Sequence, residues 1–369
     1  MLVPKTDFVG LDQYIHLAAG GETPWLKQHD EAVARFRRDK SGGMVGRSQF
    51  ELVHTRVRER LAGMLGLESD DIALVGNAST GIGQVVSSFD WQAGDNVVVA
   101  DIEFPSGSFA LARLQKLGVE LRVVKTERAY LSIDEMIAAC DERTRLVVAS
   151  YVSYFSGQRI DVARLAEGVH RHGAALLLDA THGLGVVPVP GQHCDFVVSS
   201  CYKWLLGTAM GILAWNRRRW PAFEPLGVGW RSTTNALLLD QAERYQLRPN
   251  AIRAEAGNSN HLDVYILDSA LAYLEQVGID AISAYVLDLS GKLRAGMQQL
   301  GLDLITPEPP DERAGNICFL HPDSEAVALR AAEKNVLIWG SDGRVRSSVH
   351  LYATEEDIER YLELLPHIL

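Results

Sequence analysis

CDFVVSSCYKWLLG, residues 194–207, is the stretch that decides the fold. An apolar run, Phe196–Val198, ends in two serines, and Lys203 follows between two aromatics, Tyr202 and Trp204. A short continuous apolar run with polar ends is the pattern of a strand buried on both faces, as in parallel sheets covered by helices. Lysine at such a strand end is usually solvated or absent. Set between two rings, this one is an amine kept from water. Desolvation lowers a lysine's pKa and frees its lone pair for Schiff-base chemistry.

The same pattern repeats on both sides of that stretch. Apolar, β-branched runs at 72–75, 97–101, 120–124, 145–151, 175–179, 195–199 and 211–215 predict strands, with amphipathic helices such as 106–117 and 161–172 between them. Strands alternating with helices predict an α/β fold with a mostly parallel, seven-stranded sheet covered on both faces. In such sheets ligands bind at the carboxyl ends of the strands. Upstream, 25–40 and 48–65 are predicted helical, with SGGMVG (41–46) as a glycine loop between them. Beyond PAFEPLGVGW (221–230) the pattern changes to a long helix at 261–277, strands near 316–320 and 345–351, and a last helix at 354–364. This predicts a large domain over 25–245 and a small α+β domain over 246–369, joined by the N-terminal segment 1–24.

Composition narrows the function. Over 369 residues, 47% are hydrophobic and 22% charged, the balance of a globular protein. The formal net charge of −11 argues against a nucleic-acid surface and against an anionic membrane, though not against a small anion held by a local cluster of donors. The four cysteines, Cys140, Cys194, Cys201 and Cys318, show neither a CxxC pair nor metal-ligand spacing, which points to a reducing, cytoplasmic setting and no metal site. The opening MLVPKTDFVGLDQ lacks an apolar signal-type core, and no 18-residue apolar run occurs.

Four polar features fall at the predicted strand ends. GNASTGIG (76–83) opens a helix with small residues, leaving backbone N–H groups free for an anion beside the Ser79 and Thr80 hydroxyls. The plainer alternative there is a helix cap by Asn77 or Ser79. In LLLDATHG (176–183), Asp179 ends an apolar run, so its carboxylate needs a cationic or hydrogen-bonding partner, with His182 close by in sequence; capping of a turn is the alternative. Lys203 is the third. The fourth is Arg346 in RVRSSVHLY (344–352), a planar fork suited to a carboxylate, or a simple surface arginine if taken alone. Jointly they suit a cofactor with a phosphate, a pyridine nitrogen and an aldehyde, which is pyridoxal 5′-phosphate.

On these motifs, and on YIHLAAGG (14–21) and EAGNSN (255–260), the chain resembles the class V aminotransferase-like family of pyridoxal-phosphate enzymes, which includes cysteine desulfurases, kynureninases and isopenicillin N epimerase-like proteins. EFPS (103–106), YFSGQRIDV (154–162) and Tyr202 are most similar to kynureninases, and IWGSDGRVRSSVHLY to epimerase-like and lyase-like members. The resemblance implies the fold of type I pyridoxal-phosphate transferases. It also implies Lys203 as the cofactor's covalent anchor, Asp179 on the pyridine nitrogen and Phe104 stacked on the ring, with His182 beside it. Ala78, Ser79, Thr80 and Tyr202 would hold the phosphate, with Ser153 and Tyr154 bordering the cofactor. Trp230 and Asn258 would reach the site from the other subunit of a homodimer. Arg346 would bind the carboxylate of an amino-acid substrate.

The departures from the family also bear on function. Residues 334–345 contain no cysteine where one desulfurase branch carries its nucleophile, and Cys318 sits in a predicted strand. Alanine stands in HLYAT where many relatives have asparagine, and the chain is shorter than typical kynureninases. The expected activity is lyase chemistry on a small or modified amino acid through a Cα carbanion, by β-elimination or by Cβ–Cγ or C–S cleavage. Transamination or epimerisation is the alternative, and a non-catalytic cofactor-binding protein is a third reading.

Overall fold

The protein is described by a computed structural model covering residues 1–236 and 243–369. After a short strand β1 (Ile15–His16), two helices, α1 (His29–Ser41) and α2 (Gly43–Leu65), precede the sheet. The large unit then runs β2 (Ile72–Val75), α3 (Ala78–Ser87), β3 (Asn96–Ala100), α4 (Pro105–Ala112), β4 (Glu120–Val124) and α5 (Ile133–Ala138). It continues through β5 (Thr144–Ser150), α6 (Val162–His170), β6 (Ala175–Asp179), β7 (Phe196–Ser200) and β8 (Gly211–Trp215). Next come α7 (His261–Val277), α8 (Ile279–Gln299), β9 (Asn316–Leu320), α9 (Ser324–Glu333), β10 (Val336–Leu337), β11 (Trp339–Ser341), β12 (Arg344–Ser348) and α10 (Glu355–Ile368).

The seven strands predicted from apolar runs form one sheet in the order β2-β8-β7-β6-β5-β3-β4. Only β8 is antiparallel to its neighbours. Both faces are buried, and side-chain alternation divides them. Leu176 and Leu178 face α2 and α7, while Leu177 between them joins Val99, Val148 and Leu213 against Ile82 of α3 and Leu111 of α4. Fully burying each such side chain is worth about 1.5–3 kcal/mol. A third cluster surrounds the antiparallel sheet β11-β12-β9, with Leu289 and Leu293 of α8 and Tyr361 of α10. Ile15 and Leu17 of the N-terminal segment pack into it, and β1 pairs with β10.

Two local expectations are corrected. The glycine stretch 41–46 is no loop: a single residue, Gly42, separates α1 from α2, and α2 begins at Gly43. Gly43 takes φ +59, and a Cβ on Gly46 would lie 1.7 Å from the Asp39 carbonyl oxygen, so glycine lets the two helices reverse in contact. The helix expected over 106–117 is α-helical only to Ala112 and finishes as 3₁₀ turns over Arg113–Leu117, stopped by Gly118 at φ +79.

Sheet order places the site. β7, β6 and β5 run parallel side by side, so Ser200, Asp179 and Ser150 end at one edge, with Ser150 opposite Asp179 in register. The N-terminus of α3, reached from β2, and Phe104, reached from β3, open at the same edge. From the third cluster, β12 and β9 bring Arg346 and Asn316 towards it.

Candidate active site

A cavity at this edge is lined by Ala78, Ser79, Phe104, Tyr154, Asp179, His182, Tyr202 and Lys203, so residues far apart in sequence converge as expected. The Lys203 side chain lies 5.6 Å from the Phe104 ring centroid and 5.5 Å from that of Tyr202. Burial, with the Arg346 guanidinium adding to it, lowers its pKa from 10.5 to about 8. Its Nζ is 3.2 Å from His182 Nε2.

That contact has a direction. The Ser348 hydroxyl donates to Asn316 Oδ1 at 2.8 Å, which turns the amide Nδ2 towards His182 Nδ1 at 3.0 Å. With the amide so oriented, Nδ1 accepts and the ring proton sits on Nε2, facing the lysine. Burial, together with the charges of Lys203 and Arg346, keeps this imidazole neutral. An Nε2–H donor can be answered only by an uncharged amine. The imidazole therefore favours the lone pair on Lys203.

Asp179 is buried at the floor, where its Oδ1 accepts the Thr181 N–H at 2.9 Å; burial raises its pKa, against the opposing field of Lys203. Beside it lies Glu103, which the sequence reading did not single out. Glu103 accepts the backbone N–H groups of Phe104 and Ser150, both at 2.7 Å, and burial next to Asp179 pushes its pKa up to about 7. It thereby fixes the turn that presents Phe104, which meets Tyr154 edge-on at 5.1 Å.

At the other end, Asn77 caps α3 through the Thr80 N–H at 2.8 Å. This leaves the N–H groups of Ala78 and Ser79 at the positive end of the helix, and the Ser79 hydroxyl lies 2.6 Å from that of Ser106. Ser200 and Tyr202 complete a ring of hydroxyls lining the cavity. Donors at a helix N-terminus, an amine of lowered pKa and a buried carboxylate together fit pyridoxal 5′-phosphate; α3 would take its phosphate, Asp179 its ring nitrogen and Lys203 its aldehyde.

Arg346 is 4% exposed, donates to the Tyr154 carbonyl at 3.0 Å and keeps a buried Nε with no partner. Among the described residues no carboxylate forms an ion pair with it. Burial lowers its pKa to about 10, so this cation is poised for an incoming anion.

Several expected residues are placed elsewhere. Thr80 is occupied by its cap with Asn77 and borders a separate depression with Asn258. The Ser153 hydroxyl accepts the N–H groups of Phe155 and Ser156 and shapes that turn. Trp230 is 45% exposed, Asn258 accepts from Arg47 at 2.9 Å, and neither lines the cavity around Lys203 of its own chain. Besides Glu103, the structure adds Ser106, Ser150, Ser200 and Asn316 to the site. Ser200 could have been found from its place at the end of β7. Asn316 carries no local signal.

The profile of the aminotransferase class-V family matches residues 39–361. A probable cysteine desulfurase of Methanothermobacter thermautotrophicus is 28% identical, over 99% of this chain and 97% of the relative. The isopenicillin N epimerase of Streptomyces clavuligerus is 26% identical, over 84% and 83%. Among solved structures, the cystine C–S lyase C-DES in complex with its reaction product cysteine persulfide superposes with a TM-score of 0.89 at 22% identity, covering 98% of this chain and 99% of that one.

Proposed function

The chain belongs to the class-V aminotransferase family and is a pyridoxal 5′-phosphate-dependent enzyme, and from that premise we propose that it is a lyase that releases a leaving group from Cβ of a small or modified amino acid, with C–S cleavage the favoured case. The observation that carries this reading is the absence of a protein nucleophile for sulfur. All four cysteines are buried, and burial pushes Cys140 and Cys318 up to about 11 and Cys194 and Cys201 higher still. The stretch 334–345, free of cysteine, forms β10 and β11. A thiol that is neither exposed nor ionised cannot take sulfur from a substrate. Elimination needs none, and a solved structural neighbour is a cystine C–S lyase.

When bound, the cofactor supplies an electron sink for negative charge at Cα. The chain's own residues do the rest. Arg346 receives the α-carboxylate and sets which Cα bond faces Lys203. Asp179 at the floor would balance a protonated ring nitrogen, and Phe104 would cover one ring face. The neutral amine of Lys203 would accept the Cα proton, helped by a His182 held neutral. The leaving group departs from Cβ with the electron pair of its bond and takes up a proton. The remaining enamine is hydrolysed to a keto acid and ammonia.

We further propose a cytoplasmic homodimer in which Trp230 and Asn258 of each chain complete the site of the other. Met44, Val45, Phe109 and Leu226 stand more than two-thirds exposed, apolar surface that a second copy would cover. The test of the activity is to incubate the holoenzyme with cystine and with cysteine. The expected products are keto acid and ammonia in equal amounts, with no sulfur gained by the protein's intact mass. A requirement for a keto-acid amino acceptor would instead establish transamination, and a persulfide on a cysteine would establish a desulfurase.

A further inference from the structure

Glu22 lies on the loop that follows β1, which two hydrogen bonds and two close glycine approaches hold over the site. The Thr23 hydroxyl donates to the carbonyls of Tyr202 and Lys203 at 3.1 and 3.2 Å. A Cβ on Gly20 would come within 3.0 Å of Arg346 Nε, and one on Gly21 within 3.4 Å of the Trp339 ring. Glu22 is thus held at the rim, within the field of Lys203 and on the same loop that packs through Gly20 against the arginine that awaits the α-carboxylate. Its carboxylate is exposed and forms no ion pair among the described residues; its hydrogen bond comes from the N–H of Thr23. Partial burial raises its pKa, and the one cation whose field opposes that rise is Lys203.

A carboxylate at the rim of a site that takes up an α-carboxylate would repel an ordinary amino acid unless the substrate brings a cation. We propose that Glu22 determines specificity: its carboxylate receives a cationic nitrogen on the side chain or leaving group of the substrate, while Arg346 holds the α-carboxylate. The α-nitrogen is not that cation, because it must reach Lys203, which is only 7% exposed beneath the rim. The other carboxylates of the site, Asp179 and Glu103, are buried at the floor. Trp339, 46% exposed and 5.8 Å from the Arg346 guanidinium, adds an aromatic face to the same rim. Carboxylate and ring together suit an ammonium group. The inference rests on the amino-acid site proposed above and names its substrate class.

The test compares S-(2-aminoethyl)cysteine with S-propylcysteine, which differ by an ammonium in place of a methyl group. Dissociation constants are read from the change in the holoenzyme's visible absorbance at first mixing, in the native protein and in Glu22→Gln and Glu22→Asp. The native enzyme should prefer the aminoethyl compound by about tenfold, a charge-assisted contact at a half-screened rim. Glu22→Gln should lose that preference while binding S-propylcysteine as before, and Glu22→Asp should keep part of it. No preference in the native enzyme, or equal weakening of both ligands by Glu22→Gln, would overturn the proposal. Unchanged cofactor absorbance in the variants shows that the site is intact. Keto-acid release is scored separately: a preference without elimination would leave the inference standing and sink the lyase reading.

Discussion

Lys203 is set by its neighbours to react at a pH where an ordinary lysine does not. Only the neutral amine attacks an aldehyde, and with a pKa of about 8 its neutral fraction grows as pH rises through 8 rather than through 10.5. The rate of cofactor loading into the cofactor-free protein should therefore climb between pH 7 and 9 and level off above, as followed by visible absorbance. A midpoint near that of free lysine would contradict this. Asn316 gives the sharper check. In Asn316→Asp a carboxylate would accept from Nδ1–H, leaving Nε2 as the acceptor and favouring a charged lysine; the loading midpoint should move up by about one unit or more. At this scale the sequence was most legible where chemistry sits on a strand end, as for Asp179 and Lys203. Asn316, Glu103 and Glu22 were not legible, because their roles arise from contacts between segments remote in the chain.

At the scale of elements, the phosphate cradle depends on how closely α3 approaches β8. A Cβ on Gly211 would lie 2.3 Å from the Asn77 carbonyl carbon and 2.6 Å from the Ala78 nitrogen. Gly211→Ala should thus displace the first turn of α3, raising the dissociation constant for pyridoxal phosphate about tenfold and costing about 1–3 kcal/mol of stability by denaturant titration. A second joint is buried beneath the 255–260 loop. Glu255 accepts from Arg58 at 2.6 Å, from Arg231 at 2.7 Å and from the Leu74 N–H at 2.9 Å, tying α2, β2 and the loop together. Replacing it with glutamine leaves the buried Arg58 without a carboxylate, while Arg231 keeps Glu51, and unfolding in denaturant should show a loss of about 3–5 kcal/mol. The sheet was legible in the sequence because strands covered on both faces are apolar without interruption. The α1–α2 reversal was not, because glycines permit both a loop and a tight turn, and only the packing of Gly46 on Asp39 selects between them.

For the whole molecule, parallel topology puts the chemistry at one sheet edge, and the third cluster delivers Arg346 and Asn316 to it. No single helix among the described residues is long and apolar enough to cross a membrane. The proposed sharing of sites predicts complementation: co-expressed Lys203→Ala and Asn258→Ala chains, each inactive alone, should recover about a quarter of native activity through mixed dimers with one intact site. No recovery would refute the shared site. That Trp230 and Asn258 would serve the other subunit was legible only through the resemblance to the family, because motif order alone does not say which copy supplies each part.

The central claim is that Lys203 carries the cofactor, and borohydride reduction of the holoenzyme followed by peptide mapping tests it most directly. The account predicts that the visible band disappears and that the cofactor-derived mass is found on the peptide containing Lys203. A band that survives reduction, or a label on any other lysine, would contradict it.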